Sequence, residues 1–386
     1  MATTPTYDVI VVGAGIVGAS IAWHASKNGL RTAVLDASGP AAGASGASDG
    51  AVSVSSKKPG TMMELATDSL LYCSELAREG VLRSAFRKRP TFFFASTEEE
   101  AAALDRLRSA LGEAGPAVSV VRDGSPDTSA IAGIGGAVAR VVELTGEGHM
   151  LGYEATAAFL ADSRADRLWP CRFHGYEASG NDLRVSTDLG GFEARQLVFA
   201  TGVGTAQIFP EIPIIPRSGQ LIITDRTTGS GWHDLPGCLT SAAYLLSKSD
   251  KPRPLGTAPV VIDPVHTGQL LIGSSREDHG SVSQTDFATV RQILQSAVAC
   301  LPALAQRRVI RVFAGLRAAT GDGYPVVGTV AGAPNVYLAS GFEGDGICLA
   351  PLIGREMAKL LSGQPALAAL DRLSPRRFAK AEASAR

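Results

Sequence analysis

Tyr7-Asp8-Val9-Ile10-Val11-Val12 reads as a buried strand, and Gly13-Ala14-Gly15-Ile16-Val17-Gly18 follows it at once. A helical pattern then runs from Ala19 to Asn28 and stops at Gly29. A second apolar run, Thr32-Ala33-Val34-Leu35, ends on Asp36. Strand, glycine turn, helix, strand and acid follow in the order of a dinucleotide-binding unit. The first glycine permits the tight turn, the second lets a pyrophosphate approach the backbone, and the third lets helix and strand pack closely. Free N–H groups at the helix N-terminus, and the helix dipole, favour phosphate charge. Asp36 stands where it can accept hydrogen bonds from ribose hydroxyls. An acid there favours a free 2′-hydroxyl, so FAD or NAD over NADP, and this fingerprint does not separate those two.

Beyond Asp36, Gly39 to Gly50 is a tract of small residues too rich in glycine for a regular element. It is either a flexible loop or an extended backbone passing a cofactor closely. Its position after the ribose-binding strand favours the second, with Ala37, Ala44, Ser45, Ser48 and Gly50 as candidate contacts. Thr61 to Glu79 is helical by pattern, Thr91 to Ala95 a strand, and Ser96 with Glu99 a capping box for a helix through about Leu111. Gly112 to Ala139 reads as loop-rich and Tyr153 to Ala161 as a helix. Residues 170–200 alternate like strands and lead into Leu197-Val198-Phe199-Ala200-Thr201-Gly202, a buried strand ending in a glycine turn. Strands and turns dominate 215–273, and Ser283 to Ala299 is an amphipathic helix. Strand-like runs return from Val309 to Val327 and from Asn335 to Ala339. Ser340 to Gly346 is a glycine-rich loop, Ile347 to Leu361 a long helix, and Phe378 to Arg386 a frayed tail.

The chain has 386 residues, enough for two domains, with 36 basic and 37 acidic side chains and a formal net charge of −1. That balance gives no reason to expect a nucleic acid partner. No apolar run approaches the ~18 residues of a membrane span, and residues 1–7 carry no Lys or Arg as a signal peptide would. A soluble, cytoplasmic protein is the expectation. Five cysteines (Cys73, Cys171, Cys238, Cys300 and Cys348) are widely spaced and odd in number. They suggest buried free thiols, not a disulfide framework or a metal site. The six histidines fall in no recognisable catalytic pattern.

Four further runs accompany the glycine fingerprint: residues 197–202; Pro216-Arg217-Ser218-Gly219-Gln220-Leu221; Ala314-Gly315-Leu316-Arg317-Ala318 continuing to Gly328; and Ser340-Gly341-Phe342-Glu343-Gly344-Asp345-Gly346-Ile347 continuing to Pro351. In this order and spacing the chain resembles the D-amino acid oxidase family of FAD enzymes, which includes glycine oxidase. The resemblance covers nearly the whole chain and implies FAD, held non-covalently, since no cysteine stands in Gly315-Leu316-Arg317. It also implies an α/β fold: a doubly wound, Rossmann-like FAD-binding domain (1–60, 140–214 and 310–386) with an inserted β-rich substrate domain (61–139 and 215–309).

Within the family, Ser53 to Gly60 resembles the FAD-binding β subunits of hetero-oligomeric dye-linked dehydrogenases: opine oxidase, D-hydroxyproline dehydrogenase and hydrogen cyanide synthase. That likeness implies an opine (octopine or nopaline) dehydrogenase subunit. Its partners would be an α subunit and, in some such complexes, a small iron–sulfur subunit, with a second flavin, FMN, at an interface. The alternatives are a stand-alone D-amino acid, glycine or sarcosine-type oxidase, and a non-catalytic FAD-holding subunit.

Arg317 matches the family's carboxylate-binding arginine, a role that suits a planar fork of donors. Tyr244 matches a tyrosine that shares the carboxylate in glycine oxidase, or it is a core tyrosine with a satisfied hydroxyl. Gly341, Glu343, Gly344, Asp345, Gly346 and Ile347 would meet the flavin. In glycine oxidase the loop is similar to Gly-His-Phe-Arg-Asn-Gly, so a basic position has become Gly344, while Glu343 and Asp345 add acids. These acids either attract a cationic part of the substrate or pair with nearby Arg or Lys. Lys57 and Lys58 lie either near the FMN interface or in a solvated charge pair. The resemblance implies hydride transfer from a neutral amine's α-carbon to flavin N5, with no protein base.

Overall fold

The computed structural model describes residues 5–114, 117–226, 235–247, 259–278 and 285–379. Thr6–Val12 forms the central strand of the first sheet. It pairs in parallel with Thr32–Leu35 on one side and with Gly190–Phe199 on the other. Ala333–Ser340 pairs in parallel with the outer side of Gly190–Phe199, and Asp166–Leu168 with that of Thr32–Leu35. Three parallel strand ends therefore meet around Gly13, where ligands bind in doubly wound sheets. The helix Ile16–Lys27 follows Gly13 and packs against the C-terminal helix Gly346–Leu361. The buried faces of these helices share one apolar core with Val9, Val11 and Val34.

Gly13 adopts φ +108°, which a side chain would resist. Gly18 lies against that turn, and a Cβ on it would fall 1.9 Å from the Gly13 carbonyl oxygen. The turn and the helix start are thus packed backbone on backbone.

The second sheet has eight strands in the order Val309–Thr320, Ile214–Thr224, Leu270–Gly273, Val261–Pro264, Cys238–Ser241, Thr91–Ala95, Arg140–Thr145 and Ser119–Gly124. Its first two strands pair antiparallel along their full length, setting Arg317 opposite Arg217 and Gly315 opposite Gly219. Two strands assigned from sequence to the FAD domain, Arg140–Thr145 and Val309–Thr320, belong to this second sheet. Both are apolar enough for either sheet, and their partners are distant in sequence. Ser119–Gly124 is a strand within the stretch read as loop-rich.

The helix Thr61–Glu79 has the expected bounds, and Gly152–Asp162 exceeds the expected helix by one residue at each end. The capping box before Glu98–Ala114 is displaced by one residue. Glu100 N donates to Thr97 Oγ1 at 3.2 Å, and the Glu100 carboxylate accepts from Ser96 N at 2.7 Å. The amphipathic helix runs Phe287–Cys300, capped by the Asp286 carboxylate, which accepts from Ala288 N. His233 and His279 lie outside the described residues.

Candidate cofactor and active site

A cavity of about 680 Å³ runs from the glycine turn of the first sheet to the inner face of the second. Gly13, Gly15, Ile16, Val17, Asp36 and Ala37 line its first end, together with Ala44, Ser45 and Ser48 of the small-residue loop. Ala200, Thr201 and Gly202 line its middle. Gly341, Glu343, Gly344, Gly346, Ile347, Arg317 and Tyr244 line the far end. Three predicted contacts do not reach it. Gly18 lies against the turn, Asp345 is paired with Lys57, and Gly50 abuts His149, whose Nε2 would lie 2.7 Å from a Cβ there.

The first end is tied together by hydrogen bonds. Asp36 Oδ2 accepts from Ala14 N at 2.9 Å, and Oδ1 accepts from Ser38 N and Gly39 N at 2.8 and 2.9 Å. This carboxylate joins the turn to the following loop while its residue still faces the cavity. Ser45 Oγ accepts from Ile16 N at 3.0 Å, so the loop hydroxyl reaches the helix N-terminus. Thr205, unnoticed in the sequence, joins the strand ends through Ser340: Thr205 Oγ1 donates to Ser340 Oγ at 2.9 Å, and Ser340 Oγ donates to Gly202 O at 3.0 Å. The mid-chain strand and the C-terminal strand are thereby fixed beside each other.

At the far end the Arg317 guanidinium lies against Gly219, where a Cβ would come within 2.5 Å of Nη1. Arg317 Nη1 donates to Ser275 O at 3.0 Å. Tyr244, carried by the short helix Ala242–Leu246, converges on the same point. An ideal Cβ on Gly344 would lie 3.9 Å from Arg317 Nε and 4.0 Å from the Tyr244 hydroxyl. A methyl group at Gly344 would thus be in ordinary van der Waals contact with both groups.

The two loop acids are in ion pairs. Glu343, at φ +49°, has its carboxylate 2.9 Å from Arg276 Nη1 and 3.9 Å from Arg217 Nη1. Asp345 Oδ1 lies 3.1 Å from Lys57 Nζ. Of the two readings of these acids, attraction of a substrate cation gives way to pairing with basic residues of the chain. Lys57 matches neither expectation, because it is buried in the cavity wall rather than solvated or at a surface. Only Lys58 is turned outward, with Nζ 4.7 Å above the Tyr324 ring. Nothing local in the sequence marks Lys57 as buried.

No histidine lines the cavity among the described residues. Burial pushes His24 down to about 4 and His149 down to about 3, so both are neutral near pH 7. Among the described residues no cluster could hold a metal ion, and no helix is long and apolar enough to cross a membrane.

A glycine cradle at one end and an arginine guanidinium at the other, joined by one cavity, fit a dinucleotide whose redox ring meets a small-molecule substrate. That is the plan of a dinucleotide-dependent oxidoreductase. The chain belongs to the DAO family of FAD-dependent oxidoreductases, whose model matches residues 8–360. Among its relatives, glycine oxidase of Bacillus licheniformis is 27% identical over 93% of this chain and 94% of its own length. Hydrogen cyanide synthase subunit HcnC of Pseudomonas protegens is 26% identical over 97% of both. The fold matches L-proline dehydrogenase from P. horikoshii with a TM-score of 0.84, covering 97% of this chain and 98% of that one at 21% identity.

All five cysteines are free and buried, and Cys171 and Cys238 line the cavity. Burial holds the Cys238 thiol well above its usual range, which removes the thiolate needed for bond formation. Denaturation in guanidinium followed by filtration is therefore expected to release all the yellow colour. Colour retained on the protein would mean a covalent link.

Proposed function

We propose that this chain oxidises the C–N bond of an amino acid or secondary-amine acid, and that it is the catalytic β-type subunit of an opine-type dehydrogenase complex. The observation that carries the reading is the convergence of Arg317 and Tyr244 on the space over Gly344. Bound FAD supplies the two-electron acceptor. Arg317 would hold the substrate carboxylate with paired donors, and Tyr244 would add a third, which fixes the α-carbon against the cofactor. The substrate amine sheds its proton to solvent on binding, and its lone pair then drives loss of the α-hydrogen as hydride to the two-electron acceptor. The product is an iminium, which water hydrolyses to a carbonyl compound and an amine with release of a proton.

The absence of a side chain at Gly344, beside Arg317 and Tyr244, suits a substituent on the substrate nitrogen, and so a secondary amine over glycine. The full-length likeness to HcnC supports a multi-subunit assembly with an α subunit. The FMN interface and the iron–sulfur partner rest on the same likeness, since Lys57 is buried.

Anaerobic mixing of the purified protein with octopine, nopaline, proline derivatives, sarcosine, glycine and D-amino acids tests the proposal. Bleaching by an N-carboxyalkyl amino acid, with an α subunit co-purifying, is the expected result. Bleaching by glycine or simple D-amino acids alone would move the chain to the self-sufficient oxidases. No bleaching by any of them would leave it an FAD-holding subunit.

A further inference from the structure

Lys57 is a buried cation at the far end of the cavity. Its side chain is 2% exposed, Nζ lies 3.1 Å from Asp345 Oδ1, and Nζ donates to Ser56 Oγ at 3.0 Å. Lys57 lines the cavity and Asp345 does not. Lys57 is thus the member of the pair that belongs to the cavity wall, with its ammonium buried within that wall. Asp345 is also the N-cap residue of Gly346–Leu361, so the ammonium stands beside the positive end of that helix dipole.

The segment carrying Lys57 is held from the other side. Glu147 Oε1 accepts from Ser53 Oγ, Val54 N and Ser55 N at 3.0, 2.8 and 2.8 Å. Burial opposes charge on Lys57, but Asp345 outweighs it and holds the ammonium above the usual lysine range, with Tyr244 adding to the effect. Lys57 thus remains protonated close to the tyrosine of the proposed substrate site.

We infer that Lys57, held by Asp345, supplies a fixed positive charge to the flavin end of the cavity and raises the reduction potential of bound FAD. Hydride uptake adds one proton and two electrons to the flavin ring system, whose net charge falls by one. A cation facing that charge across a dry wall stabilises the reduced form more than the oxidised form. The inference rests on FAD occupying this cavity and not on the identity of the substrate.

The test equilibrates FAD-loaded protein anaerobically against a reference dye and reads the ratio of reduced to oxidised flavin. The double variant Lys57→Met/Asp345→Asn removes the pair without stranding a buried charge. It is expected to shift the ratio about tenfold toward oxidised flavin, about 30 mV for a two-electron couple. Lys57→Met alone should shift it at least as far, and Lys57→Arg should restore it. A pair that merely ties the loop to the helix would lower the melting temperature and leave the ratio unchanged, which would overturn the inference. If Lys57→Met alone fails to retain FAD, the double variant decides. Wild-type protein purified without FAD would overturn the cofactor assignment instead.

Discussion

Arg317→Ala is expected to slow bleaching of the flavin by the substrate by about two to three orders of magnitude while FAD stays bound. The guanidinium lies against Gly219 on the second sheet, far from the glycine turn that anchors the cofactor's other end. Its one hydrogen bond among the described residues goes to Ser275 O, which leaves most of its donors for a ligand. A charged, paired hydrogen bond to a carboxylate contributes about 3–4 kcal/mol when both donors engage. Losing it lowers the apparent second-order rate of flavin reduction by a factor of about 10²–10³. The loss should divide between weaker binding and slower reduction, because in the proposed role the same fork would both hold the carboxylate and aim the α-carbon. Arg317→Lys keeps the charge without the fork and should recover binding more than rate. Stopped-flow reduction at several substrate concentrations separates the two. An unchanged limiting rate and affinity in Arg317→Ala would place the chemistry elsewhere.

The cofactor end was legible from local signals. The turn from Gly13 to Gly18, the strand ending on Asp36 and the helix Thr61–Glu79 depend on residues within a few positions of one another. The return of the mid-chain strand was equally legible, since a wholly apolar run ending in Thr201-Gly202 suits only a sheet buried on both faces. The charged groups were not legible. Glu343 finds Arg276 and Arg217, and Lys57 finds Asp345, only because the second sheet and the C-terminal helix bring distant segments together. Glu343 and Asp345, which a linear reading allows to attract a substrate cation, instead pair with basic residues of the chain. The division between sheets failed for the same reason. Val309–Thr320 looks like a strand anywhere, and only its pairing with Ile214–Thr224 assigns it to the second sheet.

Gly18→Ala is expected to cost the protein its FAD, and this single methyl group is the sharpest test of the cofactor end. The added Cβ would sit 1.9 Å from the Gly13 carbonyl oxygen, 3.0 Å from its carbonyl carbon and 3.3 Å from Ala200 Cβ. Two of these neighbours are backbone, and Gly13 is already held at φ +108° by the turn, so no side-chain rotation relieves the clash. The start of Ile16–Lys27 must move away from the strand. That carries its free amides off the site where a pyrophosphate would bind and breaks the packing of the turn. Overpacking of this kind costs about 1–3 kcal/mol or more. The expected result is protein with an absorbance ratio of flavin to protein near zero and a lowered melting temperature. Gly112→Ala provides the control. Gly112 lies on the exposed side of the helix Glu98–Ala114, and a methyl group added there would meet nothing within 4 Å. There the same change should stabilise by about 0.5–1 kcal/mol and leave FAD content untouched. If Gly18→Ala purified yellow and as stable as wild type, the helix start would not be the element that binds the dinucleotide.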